Sequence, residues 1–194
     1  MPHPANASEN APARDAEGTR RRILDAAVRA FAAHGYDGAS TRDIARQAGA
    51  DPRLITRYFG SKETLFAEAV ERTYRHPLMM VPGQNLAVAR ALLDDAPIEQ
   101  SQGLLLTIRS VGNERAAEIM REHLESHYQR QLADALPGES HAVARAALLI
   151  AICSGVQMQR NVLRTAALQG APPNAVVERL AAALDAIGLA DLPR

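Results

Sequence analysis

Cysteine is nearly absent. Cys153 stands alone in 194 residues, so no intrachain disulfide can close the fold, which fits a reducing cytosol. Tryptophan is missing, and aromatic residues make up only 4%. β-Branched runs are scarce while alanine and leucine dominate, which favours an all-helical protein. Long apolar runs are missing too. The longest, residues 146–153, is far shorter than the ~20 residues a membrane span requires. The N-terminus lacks the apolar core of a signal peptide. These absences lead to the expectation of a soluble cytoplasmic protein with no membrane partner. No Ser/His/Asp set, Gly-rich phosphate loop or paired-carboxylate motif can be picked out, so neither enzyme activity nor a cofactor is expected. There is no internal repeat.

Net charge is absent as well, at zero from 22 basic and 22 acidic residues, which excludes a protein basic throughout. The distribution is uneven. Residues 19–62 carry nine basic and four acidic side chains, leaving thirteen against eighteen elsewhere. A basic segment against an acidic remainder is the footprint of a modest nucleic-acid-binding module. Hydrophobic residues at 47% and charged residues at 23% lie in the globular range, and the length allows one large domain or two small ones.

The basic segment holds two short helical patterns separated by three residues. In the first, Ser40 has the N-cap position with Asp43 at capping-box spacing. Ile44, Ala45 and Ala48 form its apolar face. Gly49 ends it in the left-handed conformation that glycine adopts most easily. Asp51 is a preferred N-cap, and Pro52 suits the first position of a second helix running to about Tyr58. Ile55 and Phe59 point inward, leaving Arg53, Leu54, Thr56, Arg57 and Tyr58 partly outward. Helix, glycine turn and short helix with a basic outer face form the helix-turn-helix pattern, whose second helix enters the major groove. An ordinary helical corner with solvated arginines fits the same spacing.

Around this unit the chain reads as about nine helices. Residues 1–16 lack an apolar period and are expected to form a disordered tail. Residues 19–34 make a strong helix with Phe31 as a core plug, and Gly35 ends it. Arg20, Arg21 and Arg22 crowd its N-terminus against the helix dipole, where a phosphate would relieve the conflict. A fourth helix spans 61–76. Further helices are expected at 84–93, 98–111, 114–136, 141–169 and 173–187. The helix at 98–111 reads as buried on several sides.

The segments Ala26-Ala27, Phe31, Gly35-Tyr36, Ala39-Ser40-Thr41, Ile44-Ala45, Ala48-Gly49, Tyr58-Phe59 and Ser61-Lys62-Glu63 resemble the N-terminal domain of TetR-family transcriptional regulators. The likeness covers about residues 19–70. It implies an all-α homodimer with a three-helix DNA-binding domain over 17–62. The remainder, 63–194, would bind a small-molecule effector and dimerise. On a double-stranded DNA operator it implies phosphate or base contacts from Ser40, Thr41 and Arg42. Pro52, Arg53, Leu54, Thr56, Arg57 and Tyr58 would form the recognition helix, and Lys62 would meet a phosphate at the start of the fourth helix. Two positions depart from the family. Thr56 replaces the usual tyrosine and is too short for its phosphate contact, leaving Arg57 to replace it. Asp51 stands where serine or threonine is common.

The larger part offers weaker signals. Tyr74, Met79, Leu105, Arg109, Met120, His123, Tyr128 and Gln157 are the candidate effector-binding residues. The dimer interface is expected from small and apolar positions of the last two helices, namely Ala146, Ile150, Cys153, Val176, Leu180, Leu184 and Ile187, in a four-helix bundle made by two subunits. His123 and His127 share a face at i and i+4, as metal ligands do, but no third ligand is evident and no metal is expected. The function that follows is a ligand-responsive regulator, a repressor, on the bacterial nucleoid. A metal-binding protein or enzyme centred on the two histidines is one alternative. A helical dimer that binds DNA without an effector is another.

Overall fold

A 28-residue helix, α1 (Ala11–Gly38), forms the spine of the N-terminal half. Its helical path breaks at Gly35, which takes φ 71° and ψ 179°. The computed structural model describes residues 11–74, 83–94, 101–138, 140–170 and 173–189. The described part of α1 begins at Ala11, so the end of the stretch expected to be a tail is helical instead. Ten α-helical segments and no strands occur among the described residues. They continue with α2 (Thr41–Ala48), α3 (Arg53–Phe59), α4 (Lys62–Tyr74), α5 (Asn85–Leu93) and α6 (Gln102–Ser110). Then come α7 (Glu114–His123), α8 (Arg130–Ala135), α9 (Ala142–Gln157) and α10 (Asn174–Gly188).

Two large apolar cores, and a smaller cluster of Ala89, Leu93, Val177 and Ala181, are formed by the described residues. The first packs Ile23, Ala27 and Phe31 of α1 against Ile44, Ala45, Ile55, Phe59, Leu65, Phe66 and Val70. Phe31 is fully buried and meets Phe66 edge-on at 5.0 Å, the arrangement that aromatic quadrupoles favour. This core does not stop at Lys62. Leu106 of α6 and Ala116, Ile119 and Met120 of α7 belong to it, so two helices from beyond α4 pack directly on the N-terminal helices. The other core joins Val88 and Leu92 of α5 to Leu132, Ala133, Ala146, Leu149, Cys153 and Leu184. Burial of Cys153 pushes its thiol up to about 11, so it stays protonated at neutral pH.

Several elements differ from the sequence reading. Residues 114–135 form one rod, but α7 and α8 are joined by a wide π-type turn, Leu124–Gln129. The rod expected over 141–169 ends earlier. It passes from α9 into a second π-type turn, Met158–Val162, and then leaves the helix at Arg164, whose φ is 52°. Of α6, only Leu106 and Ser110 are buried, whereas Leu104, Leu105 and Ile108 are half-buried. The inward face of α10 includes Leu184 but otherwise differs from the positions expected at the dimer interface. Val177, Ala181, Leu184 and Gly188 are buried, while Val176 and Ala183 are exposed. That helix is apolar on more than one face, so periodicity alone cannot fix which face turns inward.

Two buried arginines, Arg145 and Arg160, hold the larger part together through backbone carbonyls. Arg145 donates to the carbonyl oxygens of Pro137, Gly138, Ser140 and Gly188, which joins the α8–α9 turn to the end of α10. Arg160 donates to the carbonyls of Asp94, Leu168 and Gly170. The guanidinium thus satisfies the carbonyls that helix ends and turns leave without intrahelical partners.

Candidate nucleic-acid interface

The helix-turn-helix forms as its capping residues dictate. Ser40 Oγ accepts the Asp43 N–H at 3.1 Å, and its hydroxyl donates to the Asp43 carboxylate at 2.6 Å. Gly49 ends α2 in the left-handed region at φ 62°. Asp51 Oδ1 accepts the Arg53 N–H at 2.8 Å, which starts α3. Ser61 Oγ likewise accepts the Thr64 N–H at 3.1 Å and opens α4. Each junction satisfies a donor that a helix start leaves free, so the turns are fixed by local chemistry.

The outer face is basic and available. Ile55 and Phe59 are buried beneath α3, with Leu54 and Tyr58 half-buried at its edges. Pro52, Arg53, Thr56 and Arg57 are exposed. On α2, Ser40 and Arg42 are exposed and Thr41 is half-buried, while Arg46 is paired with Asp43 at 2.7 Å. Among the described residues, no carboxylate lies within ion-pair distance of Arg42, Arg53, Arg57 or Lys62. Arg53 and Arg57 stand one turn apart on α3 and share a face.

Arg20 departs from the expectation of a phosphate contact. Its guanidinium pairs with Glu68 of α4 at 2.5 Å and lies 4.7 Å from the centre of the Phe59 ring. It clamps α1 to α3 and α4. Arg21 and Arg22 are exposed, with Arg22 donating to Thr19 Oγ1.

Those candidate effector residues that are described lie in several different surroundings. Met79 and the side chain of Tyr74 lie outside the described residues. Met120 is buried in the first core, and Leu105 packs at its edge. The Arg109 guanidinium donates to the Ala32 carbonyl. His123 is stacked on His127 at 4.8 Å, and burial with the neighbouring His127 charge lowers its pKa, partly offset by Glu71. Among the described residues no cluster of three or more His, Cys, Asp or Glu forms a metal site. Tyr128 and Gln157 are half-buried on separate rods. An open groove of about 630 Å³ lies elsewhere, between the α7–α8 rod and the start of α9. Glu125, Gln129, Arg130, Ala133, Asp134 and Val143 line it.

The expected dimer residues divide in two. Ala146, Cys153 and Leu184 are buried within this chain, so their side chains serve the second core and cannot meet a partner. Ile150, Leu180 and Ile187 are half-buried, and Val176 is 39% exposed. The free apolar surface lies beside them. On α9 it comprises Ala144, Leu148, Ala151 and Gly155, a stripe at helical spacing opposite the buried one. On α10 it comprises Val176, Ala183 and Ala186. The rod Ala142–Val162 is apolar enough, by length and composition alone, to cross a membrane. Most of its residues are buried or half-buried by the chain itself, and the exposed stripe is apolar and small.

Residues that sequence reasoning missed lie where α1 meets α6. A Cβ at Gly35 would stand 2.2 Å from the Arg109 carbonyl oxygen. The Tyr36 N–H donates to Ser110 Oγ at 3.0 Å, and Asn113 donates to Asp37 at 2.8 Å. Asn113 also caps α7, its Oδ1 accepting the Ala116 N–H at 2.9 Å. Gly35 was legible as a helix stop, but nothing in the sequence pointed to its neighbour 74 residues away.

The comparisons with known proteins agree with this architecture. Residues 23–69 match the family model described as "Bacterial regulatory proteins, tetR family", and residues 85–187 match "Tetracyclin repressor-like, C-terminal domain". The HTH-type transcriptional repressor SCO4008 of Streptomyces coelicolor is 44% identical over 70 residues, 36% of each chain. The HTH-type transcriptional repressor NicS of Pseudomonas putida is 38% identical over 89 residues, which is 46% of this chain and 39% of that one. The chain thus spans well under half the length of these curated relatives. A putative TetR-family transcriptional regulator from Rhodococcus sp. shares the fold at a TM-score of 0.68 and 18% identity, over 88% of this chain and 98% of that one. With the second family model alone matching more than half of its residues, the chain belongs to the TetR family of bacterial regulatory proteins.

Proposed function

We propose that this chain is a ligand-responsive transcriptional repressor that binds a near-palindromic operator as a homodimer and is released by a small molecule. The observation that carries the reading is the basic face of α2 and α3, where Arg42, Arg53 and Arg57 are exposed with no carboxylate in ion-pair distance among the described residues. Arginine guanidinium matches the O6 and N7 acceptors of guanine, and phosphate contacts supply salt-dependent affinity. Ser40, Thr41 and Lys62 are the proposed phosphate contacts. One short helix reads few base pairs, so two are needed on a two-fold axis, with half-sites about 34–36 Å apart or a multiple of that. The place of action is the bacterial cytoplasm.

The proposed interface is the outward stripe of α9 and α10, which keeps Val176 and leaves out the buried Ala146, Cys153 and Leu184. Replacing Leu148 and Val176 together by arginine is expected to give folded monomers with wild-type helicity and lost operator binding. Sedimentation equilibrium checks this, and a dimer of unchanged affinity would refute the interface. Leu148 is 55% exposed, so the change places charge on a surface and not in a core.

Release requires an effector that prefers a subunit arrangement with the wrong spacing of recognition helices. It shifts the equilibrium only by its differential affinity for the two arrangements. The test of the whole reading is selection of random double-stranded DNA with the purified protein. A two-fold symmetric consensus is the expected result, and enrichment of no sequence would overturn it.

A further inference from the structure

Tyr36 sits at the junction between the operator-binding unit and α6. Its backbone N–H donates to Ser110 Oγ at 3.0 Å, at the last residue of α6, and Ser110 is buried. The residue before it, Gly35, lies against the Arg109 carbonyl too closely for any side chain. The residue after it, Asp37, accepts from Asn113 at the start of α7. Three consecutive residues at the end of α1 are therefore held by the α6–α7 corner.

The Tyr36 ring is held as firmly as its backbone. Phe66 meets it edge-on at 5.0 Å, and Phe31 stacks near it at 6.2 Å. Over its face lies the Lys62 ammonium, 4.6 Å from the ring centre. Lys62 opens α4, and no carboxylate among the described residues reaches it within ion-pair distance. A lysine stem is flexible, so an ammonium left in solvent samples many positions. Set over a ring quadrupole, it is restricted without being neutralised, and its charge remains for an external anion. Partial burial lowers the Lys62 pKa, against a smaller raising effect of Asp37.

We propose that Tyr36 is a positioning residue for the Lys62 phosphate contact, and that its bond to Ser110 makes the placement of that contact answer to α6. The inference rests on the proposed role of Lys62 as a phosphate ligand. It adds a second route by which the effector-binding part could weaken DNA binding. Besides moving the two recognition helices apart, a shift of α6 would move Tyr36 and with it a phosphate anchor in each subunit. Ordering the lysine before DNA arrives removes part of the entropy lost on binding.

Lys62 is the only lysine in the chain, so lysine labelled with ¹³C at Cε gives one side-chain NMR signal that needs no assignment. In the unmodified dimer that signal is expected upfield of free lysine, displaced by the Tyr36 ring current. Tyr36→Phe keeps the displacement, since it keeps the ring. Ser110→Ala moves the signal towards the free position. A signal at the free position in the unmodified protein overturns the positioning role, and one indifferent to Ser110→Ala overturns the link to α6. Operator binding across a salt series separates this from the reading beneath it. Lys62→Ala is expected to lower the salt slope by about one per subunit. Tyr36→Leu is expected to weaken binding about three- to tenfold, on the affinity scale of an exposed cation–π contact, and to do nothing further once Lys62 is alanine. Additive effects overturn the positioning role while leaving Lys62 a phosphate ligand. An unchanged slope in Lys62→Ala overturns both.

Discussion

Gly35→Ala is expected to destabilise the protein more than any other single glycine substitution in the DNA-binding unit. Two independent costs combine there. The backbone conformation, φ 71° and ψ 179°, belongs to a region that is essentially closed to residues with a side chain, at roughly 1–3 kcal/mol. The new Cβ would also meet the Arg109 carbonyl oxygen at 2.2 Å, and its neighbour is backbone that cannot rotate away. Relief requires α6 to withdraw from α1, which breaks the Tyr36–Ser110 and Asp37–Asn113 bonds. A loss of about 3–5 kcal/mol follows, a large part of the ~5–15 kcal/mol by which folded proteins are stable. For a chain of this size the melting temperature falls by about 6–20 °C. Gly49→Ala is the matched control. It has a left-handed φ of 62° but open space around the Cβ, so only the conformational cost of about 1–2 kcal/mol applies. Gly112→Ala, with open space and no positive φ, should change little. Thermal unfolding of the three variants tests the order, and equal losses at Gly35 and Gly49 would show that the α1–α6 contact costs nothing to disturb.

What could be read from the sequence follows the range over which each signal acts. Capping residues, helix-ending glycines and one-sided apolar stripes act over four residues or fewer, and they placed α2, the turn and α3 correctly to within a residue. Ser40, Gly49, Asp51, Ile55 and Phe59 all play the parts their chemistry suggests. The exposure of Arg53 and Arg57 follows directly, because the apolar residues of so short a helix leave them one side only. Signals that act between distant segments were silent. Nothing adjacent to Arg20 announces Glu68, and nothing adjacent to Gly35 announces Arg109. The π-type turns at Leu124–Gln129 and Met158–Val162 also left no mark, since one extra residue per turn barely alters an apolar pattern.

The last two helices show a different limit. Periodicity identifies an inward face only when the opposite face is polar. In α9 and α10 alanine, leucine and valine occupy both faces, so the sequence allowed Leu184 or Val176 equally as core or interface. The fold decides between them. Leu184 is fully buried by its own chain and Val176 is not. The apolar residues left uncovered on α9 and α10 are what supports the proposed second subunit.

Arg53→Ala and Arg57→Ala are expected to remove most operator affinity while leaving fold and dimer intact. Both side chains are exposed and neither is engaged in an ion pair among the described residues, so truncation breaks no intramolecular contact. A bidentate arginine–guanine contact discriminates by about 1–3 kcal/mol. A homodimer loses it in both half-sites. The cost for one substitution is therefore about 2–6 kcal/mol if the half-sites add, or about 30-fold to 10⁴-fold in affinity. The two arginines should not behave alike in every respect. Arg53 opens α3, the end of a recognition helix that points at base edges, so its loss should reduce binding to the operator far more than to random DNA. Arg57 stands one turn later, beside Thr56, which is too short for the phosphate contact a tyrosine would make there. If Arg57 takes over that contact, its loss weakens operator and random DNA in the same proportion and lowers the salt slope by about one per subunit. Titrations of both DNAs at several salt concentrations, with circular dichroism and sedimentation as controls, separate base contact from phosphate contact at each position. Unchanged operator affinity in both variants would remove α3 from the major groove.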